Sequence, residues 1–66
     1  MLTRREIEVV RLLALGCSYR EAARQLGVSH NTITSHIKNS YRKLDVHTAA
    51  AAVMRAVELR LLGGAP

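Results

Sequence analysis

The fold of this chain follows from a stretch near its middle, Glu21-Ala22-Ala23-Arg24-Gln25-Leu26-Gly27-Val28-Ser29. The two alanines let a neighbouring helix approach closely, and Gly27 permits a sharp turn because glycine adopts left-handed backbone angles without strain. Val28 can fill the angle between two helices, and Ile33 places a branched apolar residue on the second one. The stretch predicts a short helix joined to a longer one through three or four residues, which is a helix-turn-helix motif. A plain helical hairpin in a small bundle is the alternative.

Capping signals extend this pattern to four helices. The start signals are two capping boxes, Thr3 with Glu6 and Ser18 with Glu21, and two single caps, Ser29 and Thr48. The stop signals include Gly16, Gly27 and Gly63. No segment alternates with the period of two that a strand requires. We therefore predict one all-α domain over residues 1–66, with helices at about 4–15, 19–26, 30–44 and 49–62.

Helical periodicity predicts the core. The expected core positions are Ile7, Val10, Leu13 and Ala14 in the first helix, Ala22, Ala23 and Leu26 in the second, and Ile33, Ile37, Tyr41 and Leu44 in the third. Glu6 lies close to the apolar stripe formed by the core positions of the first helix. Besides its capping role, we expect it to pair with a cation from the third or fourth helix.

Composition limits the class of protein. Ten Lys and Arg residues against five Asp and Glu residues give a net charge of +5, which favours a polyanionic partner but equally suits a solubilising role. Cys17 is the only cysteine, so an internal disulfide is impossible. The three histidines are widely spaced, and we expect neither a metal site nor a cofactor. No apolar run is long enough to span a membrane, and the N-terminus lacks a secretory signal, so we expect a cytoplasmic protein.

The residues on the outer face of the third helix favour a polyanionic partner over a merely solubilising role for the positive charge. This face carries Asn31, Thr34, Ser35, Lys38, Asn39 and Arg42, and no acidic residue precedes Asp45. A helix in the major groove of double-stranded DNA needs short hydrogen-bonding side chains and cations of this kind. We predict base contacts from Asn31, Thr34, Ser35 and Lys38, with Asn31 suited to adenine and Lys38 to guanine. Candidate phosphate contacts are Arg42, Arg20 and Arg24, together with Arg4 and Arg5.

The last predicted helix is apolar on nearly every side. Between Ala49 and Leu62 only Arg55, Glu58 and Arg60 are charged. Such a helix in a small protein implies a second buried surface. We predict two-fold pairing through Val53, Val57 and Leu61, which would place two recognition helices on successive half-sites. Docking on an upstream regulatory domain outside this chain is the alternative.

The motifs together resemble the LuxR-type helix-turn-helix domain of NarL-, FixJ- and GerE-like regulators. The matching residues are Leu2-Thr3-x-Arg5-Glu6, Val9-Val10, Leu13, Gly16, Ser18, Glu21-x-Ala23, Leu26-Gly27-Val28-Ser29, Thr32-Ile33, His36-Ile37, Arg42-Lys43-Leu44 and Val46. The resemblance implies four helices, DNA binding through the third and dimerisation through the fourth. It implies base contacts at Thr34, Ser35 and Lys38, and backbone contacts near Thr32 and His36. Two positions depart from the family, because many members have Lys or Arg in place of Thr34 and Arg in place of Ala49.

Other interpretations of these residues stay open. His36 is either a packed histidine at the edge of the core or a contributor to phosphate binding. A sigma-factor region-four domain has similar helices, although the Leu-Thr-x-Arg-Glu start and the long last helix favour a transcriptional regulator that is nucleoid-associated when bound. A protein-interaction module without DNA binding would carry acidic or apolar residues on the third helix. An enzyme is the weakest alternative, because no phosphate loop, carboxylate pair or catalytic triad is apparent.

Overall fold

A computed structural model describes residues 1–62 and contains four helices. These are α1 (Arg4–Ala14), α2 (Tyr19–Leu26), α3 (His30–Leu44) and α4 (Ala49–Glu58). No strand occurs between residues 1 and 62. The predicted all-α class is confirmed.

Each helix starts at the cap that the sequence predicted. At the start of α1, the Thr3 hydroxyl accepts the Glu6 backbone N–H at 3.1 Å, and the Glu6 carboxylate accepts the Thr3 N–H at 2.9 Å. Ser18 and Glu21 repeat this reciprocal pair at the start of α2. Single hydroxyl caps begin α3 and α4. These contacts bond backbone N–H groups that have no partner inside a helix.

The predicted end of α4 near Leu62 is wrong, because this helix ends at Glu58. Arg60 adopts a left-handed φ of 59°, and two hydrogen bonds close the turn: Arg60 N–H to Val57 C=O at 2.9 Å and Leu61 N–H to Ala56 C=O at 2.8 Å. This paired arrangement is the Schellman motif, which normally uses glycine at the left-handed position. The turn folds Leu61 and Leu62 back onto the core, and their burial offsets the cost of a non-glycine residue there. Gly63, the expected stop, lies outside the described residues.

The core consists of two clusters that meet at Tyr41. One cluster joins α1, α3 and α4 through Leu2, Val10, Leu44, Ala52 and Ala56. The other joins α1, α2 and α3 through Val9, Ala22, Ala23, Ile33 and Ile37. The core predictions for α2 and α3 are confirmed, although Leu26 and Tyr41 are only half-buried.

The predicted stripe on α1 is wrong at Ala14, which is exposed. The buried positions of α1 are Glu6, Val9 and Val10, so the inward face is rotated from the predicted one. One of these inward positions is occupied by the Glu6 carboxylate, which the sequence had placed close to the predicted stripe. Ser40 is a second polar residue inside the core, where its hydroxyl donates to the His36 carbonyl at 2.7 Å.

The packing of α3 determines which of its faces is left exposed. It contacts α1, α2 and α4, whereas α2 and α4 do not contact each other among the described helices. The three neighbours cover one side of α3 and leave the opposite side accessible. That accessible side is the face whose residues suggested DNA binding.

Candidate nucleic-acid interface

The four predicted base-contacting side chains form one surface on α3, from Asn31 to Lys38. Asn31, Ser35 and Lys38 are exposed, and Thr34 is half-buried. At about 100° per residue, Thr34 and Ser35 mark the two edges of this surface, and the other two side chains lie between them. We call these four residues the groove face. Three of these four side chains are exposed, so the groove face is accessible to a ligand.

Two hydrogen bonds orient side chains on or beside the groove face. The Thr34 hydroxyl donates to the His30 carbonyl one turn earlier, at 2.9 Å. Farther along α3, the Arg42 Nη2 donates to the Asn39 Oδ1 at 2.9 Å. The amide of Asn39 therefore holds the guanidinium of Arg42 against the helix while leaving its other donors accessible.

The start of α3 carries a hydroxyl pair. The Ser29 hydroxyl accepts the Thr32 N–H at 3.1 Å and donates to the Thr32 hydroxyl at 2.9 Å. Because Thr32 accepts this bond, its own proton is available to an external acceptor. Both residues are exposed. A phosphate oxygen is an acceptor of the right kind at this position.

The cations are divided between paired and unpaired sets. Three carboxylates pair with cations away from the groove face, in Arg5–Glu8, Lys43–Glu6 and Arg55–Glu58. Within residues 1–62, no carboxylate forms an ion pair with Lys38, Arg42, Arg20 or Arg24. All four of these cations are exposed. The excess positive charge is therefore available on α2 and on the outer side of α3.

His36 lies on the flank of α3, half-buried. Its carbonyl accepts the buried Ser40 hydroxyl, and its ring forms no hydrogen bond with the rest of residues 1–62. The ring therefore packs at the edge of the core with nitrogens that stay available. This placement is compatible with both interpretations of His36.

A tyrosine pair links α2 to α3. The Tyr19 and Tyr41 hydroxyls lie 3.3 Å apart. Burial and the hydrogen bond with Tyr19 raise the pKa of Tyr41 to about 12. Tyr41 therefore stays neutral at physiological pH. The sequence predicted Tyr41 as a core position, but nothing in it indicated that the two hydroxyls meet.

A shallow groove of about 360 Å³ lies at the C-terminal end of α3. Its walls are Lys38, Tyr41, Arg42, Asp45, Val46 and His47. The sequence had singled out Lys38 and Arg42 for DNA binding but not His47. The α3–α4 turn brings His47 to the same groove, and no helical periodicity could reveal this because the residue lies outside a helix.

The apolar residues of α4 divide between the core and the surface. Met54 is 67% exposed, Val57 is 54% exposed and Leu59 is 50% exposed. Of the predicted dimer residues, Val57 belongs to this exposed set. Val53 and Leu61 are half-buried against the core cluster of the same chain. The accessible apolar surface is therefore centred on Met54 and Val57.

Two other kinds of site are not apparent in the described part of the chain. No group of three His, Cys, Asp or Glu residues lies close enough to hold a metal ion. No helix there is both long and apolar enough to cross a membrane.

A family model for bacterial regulatory proteins of the luxR family matches residues 1–56. The chain belongs to the LuxR family. This membership confirms the resemblance that the helix-turn-helix residues indicated. A sigma-factor domain is not supported.

The chain is similar to known proteins in both sequence and structure. The chain is 46% identical over 61 residues to the transcriptional activator protein CarR of Pectobacterium carotovorum subsp. carotovorum, covering 92% of this chain and 25% of that protein. It is 38% identical over 60 residues to the nitrate/nitrite response regulator protein NarP of Escherichia coli, covering 91% of this chain and 28% of NarP. The crystal structure of the response regulator ChrA, of a heme-sensing two-component system, matches with a TM-score of 0.89 at 38% identity, over 92% of this chain and 30% of ChrA. The chain thus spans about a quarter of the length of CarR and NarP.

Proposed function

We propose that this domain binds specific double-stranded DNA sequences by inserting α3 into the major groove. The groove face supplies the base contacts: Asn31, Thr34, Ser35 and Lys38. The observation that carries this proposal is the separation of charge. Three of the five Asp and Glu side chains pair with cations away from the groove face, while Lys38 and the cations beside it form no ion pair with a carboxylate within residues 1–62. A DNA duplex attracts such cations strongly, since binding releases its condensed counterions.

The phosphate contacts surround the groove face. Arg20 and Arg24 lie one turn apart on α2, both exposed, and Arg42 extends the positive surface along α3. Thr32 offers a hydroxyl proton at the start of α3. His36 lies on the same flank of α3 as Thr32. These contacts would fix the orientation of the domain on DNA without specifying a base.

One copy of the domain is too short to contact two successive half-sites of an operator by itself. Its longest extent is 29 Å, which is shorter than the spacing of about 34 Å between half-sites one helical turn apart. The exposed apolar side chains of α4 supply a surface that a second copy can cover. We propose a two-fold dimer through α4, with Val57 at its centre and Val53 and Leu61 at its edge.

The relatives support a role for this domain in a longer protein. The relatives named above are much longer than this chain, and ChrA and NarP are named as response regulators. We propose that the domain is the output part of a cytoplasmic transcriptional regulator, with an upstream regulatory domain. Its activity would be binding rather than catalysis.

Selection from a pool of random DNA duplexes tests the proposal. We expect enrichment of a short sequence, repeated with two-fold symmetry, and tighter binding to it than to a scrambled duplex. Removal of a phosphate contact by Arg20→Ala should weaken binding to both duplexes and reduce the dependence of affinity on salt. Arg11→Ala removes the same charge from α1 and serves as the control. Equal binding to recovered and scrambled duplexes would refute sequence-specific recognition.

A further inference from the structure

Thr34 differs from the rest of the groove face because its hydroxyl is already engaged. This hydroxyl donates to the His30 carbonyl at 2.9 Å. Asn31 and Lys38, which lie beside it one turn away in either direction, are exposed. Ser35 is exposed, and its hydroxyl forms no hydrogen bond with another residue of the range 1–62. The two neighbouring hydroxyls therefore have different chemistry.

The engaged hydroxyl limits what Thr34 can recognise. A threonine hydroxyl has one proton, so the bond to His30 leaves no donor for guanine N7 and O6 or for thymine O4. The oxygen is turned toward the preceding turn of α3. The Cβ of threonine carries a hydroxyl and a methyl group. Because the hydroxyl is engaged, the methyl group is the one left to contact a base edge. In the major groove, the thymine C5-methyl is the apolar feature that such a group can contact.

We propose that Thr34 selects thymine through contact between its methyl group and the C5-methyl of the base. This inference rests on the proposed insertion of α3 into the major groove, and it assigns one position of the operator. Ser35, which keeps its proton, contacts a base acceptor instead. Because the hydroxyl is bonded to the His30 carbonyl, Thr34 makes an apolar contact rather than a polar one.

The test uses the sequence recovered by selection and removes one methyl group at a time. Each thymine of the operator is replaced singly by deoxyuridine, which lacks only the C5-methyl and keeps its base pairing. Two variants separate the contributions of the two groups of Thr34 to binding. Thr34→Ser keeps the hydroxyl and removes the methyl, and Thr34→Val keeps the methyl and removes the hydroxyl. Circular dichroism melting of both variants checks that the domain still folds.

We expect one uridine substitution to weaken wild-type binding about fourfold, which is the effect of exposing one methyl-sized group. Thr34→Val should keep this preference, and Thr34→Ser should bind the thymine and uridine duplexes equally. The inference is overturned if no single uridine substitution affects wild-type binding, or if Thr34→Ser keeps the preference. Loss of the preference in Thr34→Val with retention in Thr34→Ser would assign recognition to the hydroxyl oxygen and also overturn it. The proposed function is judged separately, by whether the wild type still prefers the operator to a scrambled duplex.

Discussion

The Lys43 ammonium donates a hydrogen bond of 2.9 Å to the Glu6 carboxylate and so joins α3 to α1. Glu6 is only 4% exposed, and the same carboxylate oxygen accepts the Thr3 N–H that caps α1. One carboxylate thus caps one helix and anchors another. Because α3 carries the groove face, this contact also fixes the position of the proposed DNA-binding surface.

Replacing Lys43 with methionine keeps the length of the side chain and removes its charge. The buried Glu6 carboxylate would lose its cationic partner, and we expect the free energy of unfolding to fall by about 1–3 kcal/mol. Urea unfolding followed by circular dichroism measures this change. Arg5→Ala breaks the exposed Arg5–Glu8 pair, whose side chains are about half exposed, and should cost no more than about 0.5 kcal/mol. An equal decrease in the free energy of unfolding in the two variants would show that burial of Glu6 does not strengthen its pair with Lys43.

The free energy of unfolding should decrease at acidic pH. Burial of Glu6 raises the pKa of its carboxyl, but the hydrogen bonds from Lys43 and Thr3 outweigh burial and lower that pKa below the ordinary 4.5. A carboxyl whose pKa is lowered by folding stabilises the protein above its unfolded-state pKa, and this stabilisation is lost as the pH falls through the folded-state value. Hydrogen bonds from Ser18 lower the pKa of Glu21 and act in the same direction.

The urea midpoint should therefore decrease as the pH falls below about 4.5. Glu6→Gln removes one of these two carboxyls with a lowered pKa, so its urea midpoint should vary less with pH than that of the wild type. Parallel pH profiles for the two proteins would contradict the role assigned to Glu6.

Enlarging Ala23 should destabilise the contact between α2 and α3. This residue is buried in the cluster with Ile33 and Ile37, and Ala23→Leu adds side-chain volume where none is available. We expect a loss of about 1–3 kcal/mol from overpacking. Thermal melting measures the loss, and Ala14→Leu, on the exposed side of α1, is the matched control. Unchanged melting of the Ala23 variant would mean that the two helices do not pack closely.

A charge at the centre of the exposed apolar surface of α4 should separate the proposed dimer. Val57→Glu places a carboxylate that would be buried without a partner, and we expect a monomer with weaker operator binding. Analytical ultracentrifugation at micromolar concentration, with and without DNA, distinguishes the two states. Leu15→Glu introduces a carboxylate at the C-cap of α1, where the leucine is 74% exposed, and should leave the dimer intact. A wild-type chain that is monomeric under both conditions would favour the upstream domain as the partner of α4.

The sequence predicts the local features of this fold well, because each depends on a few neighbouring residues. Caps such as Thr3 with Glu6 follow from side chains three residues apart, and the structure contains them. The turn after α2 follows from Gly27, whose φ of 67° is left-handed. The pairing of Glu6 with a cation from another helix was also predicted, although the sequence left open which cation it is.

Features that depend on tertiary packing were harder to predict. The end of α4 requires Arg60 in a conformation that arginine rarely adopts, and burial of Leu61 and Leu62 stabilises it. A local pattern gives no sign of that burial. Likewise, the sequence predicted a base contact from Thr34 without indicating the direction of its hydroxyl, which the structure directs to the His30 carbonyl.

The contribution of Lys38 to recognition tests the central claim most directly. Its exposed ammonium lies on the groove face without a carboxylate partner in the described range, where it can bond to guanine O6 and N7. The measurement compares wild type and Lys38→Ala by fluorescence anisotropy on the selected operator and on a scrambled duplex, at one salt concentration. We predict a loss of about 1–3 kcal/mol on the operator, which is roughly a fivefold to 150-fold weaker affinity, and a smaller loss on the scrambled duplex. Equal binding of the operator by the two proteins would contradict the insertion of this face of α3 into the major groove.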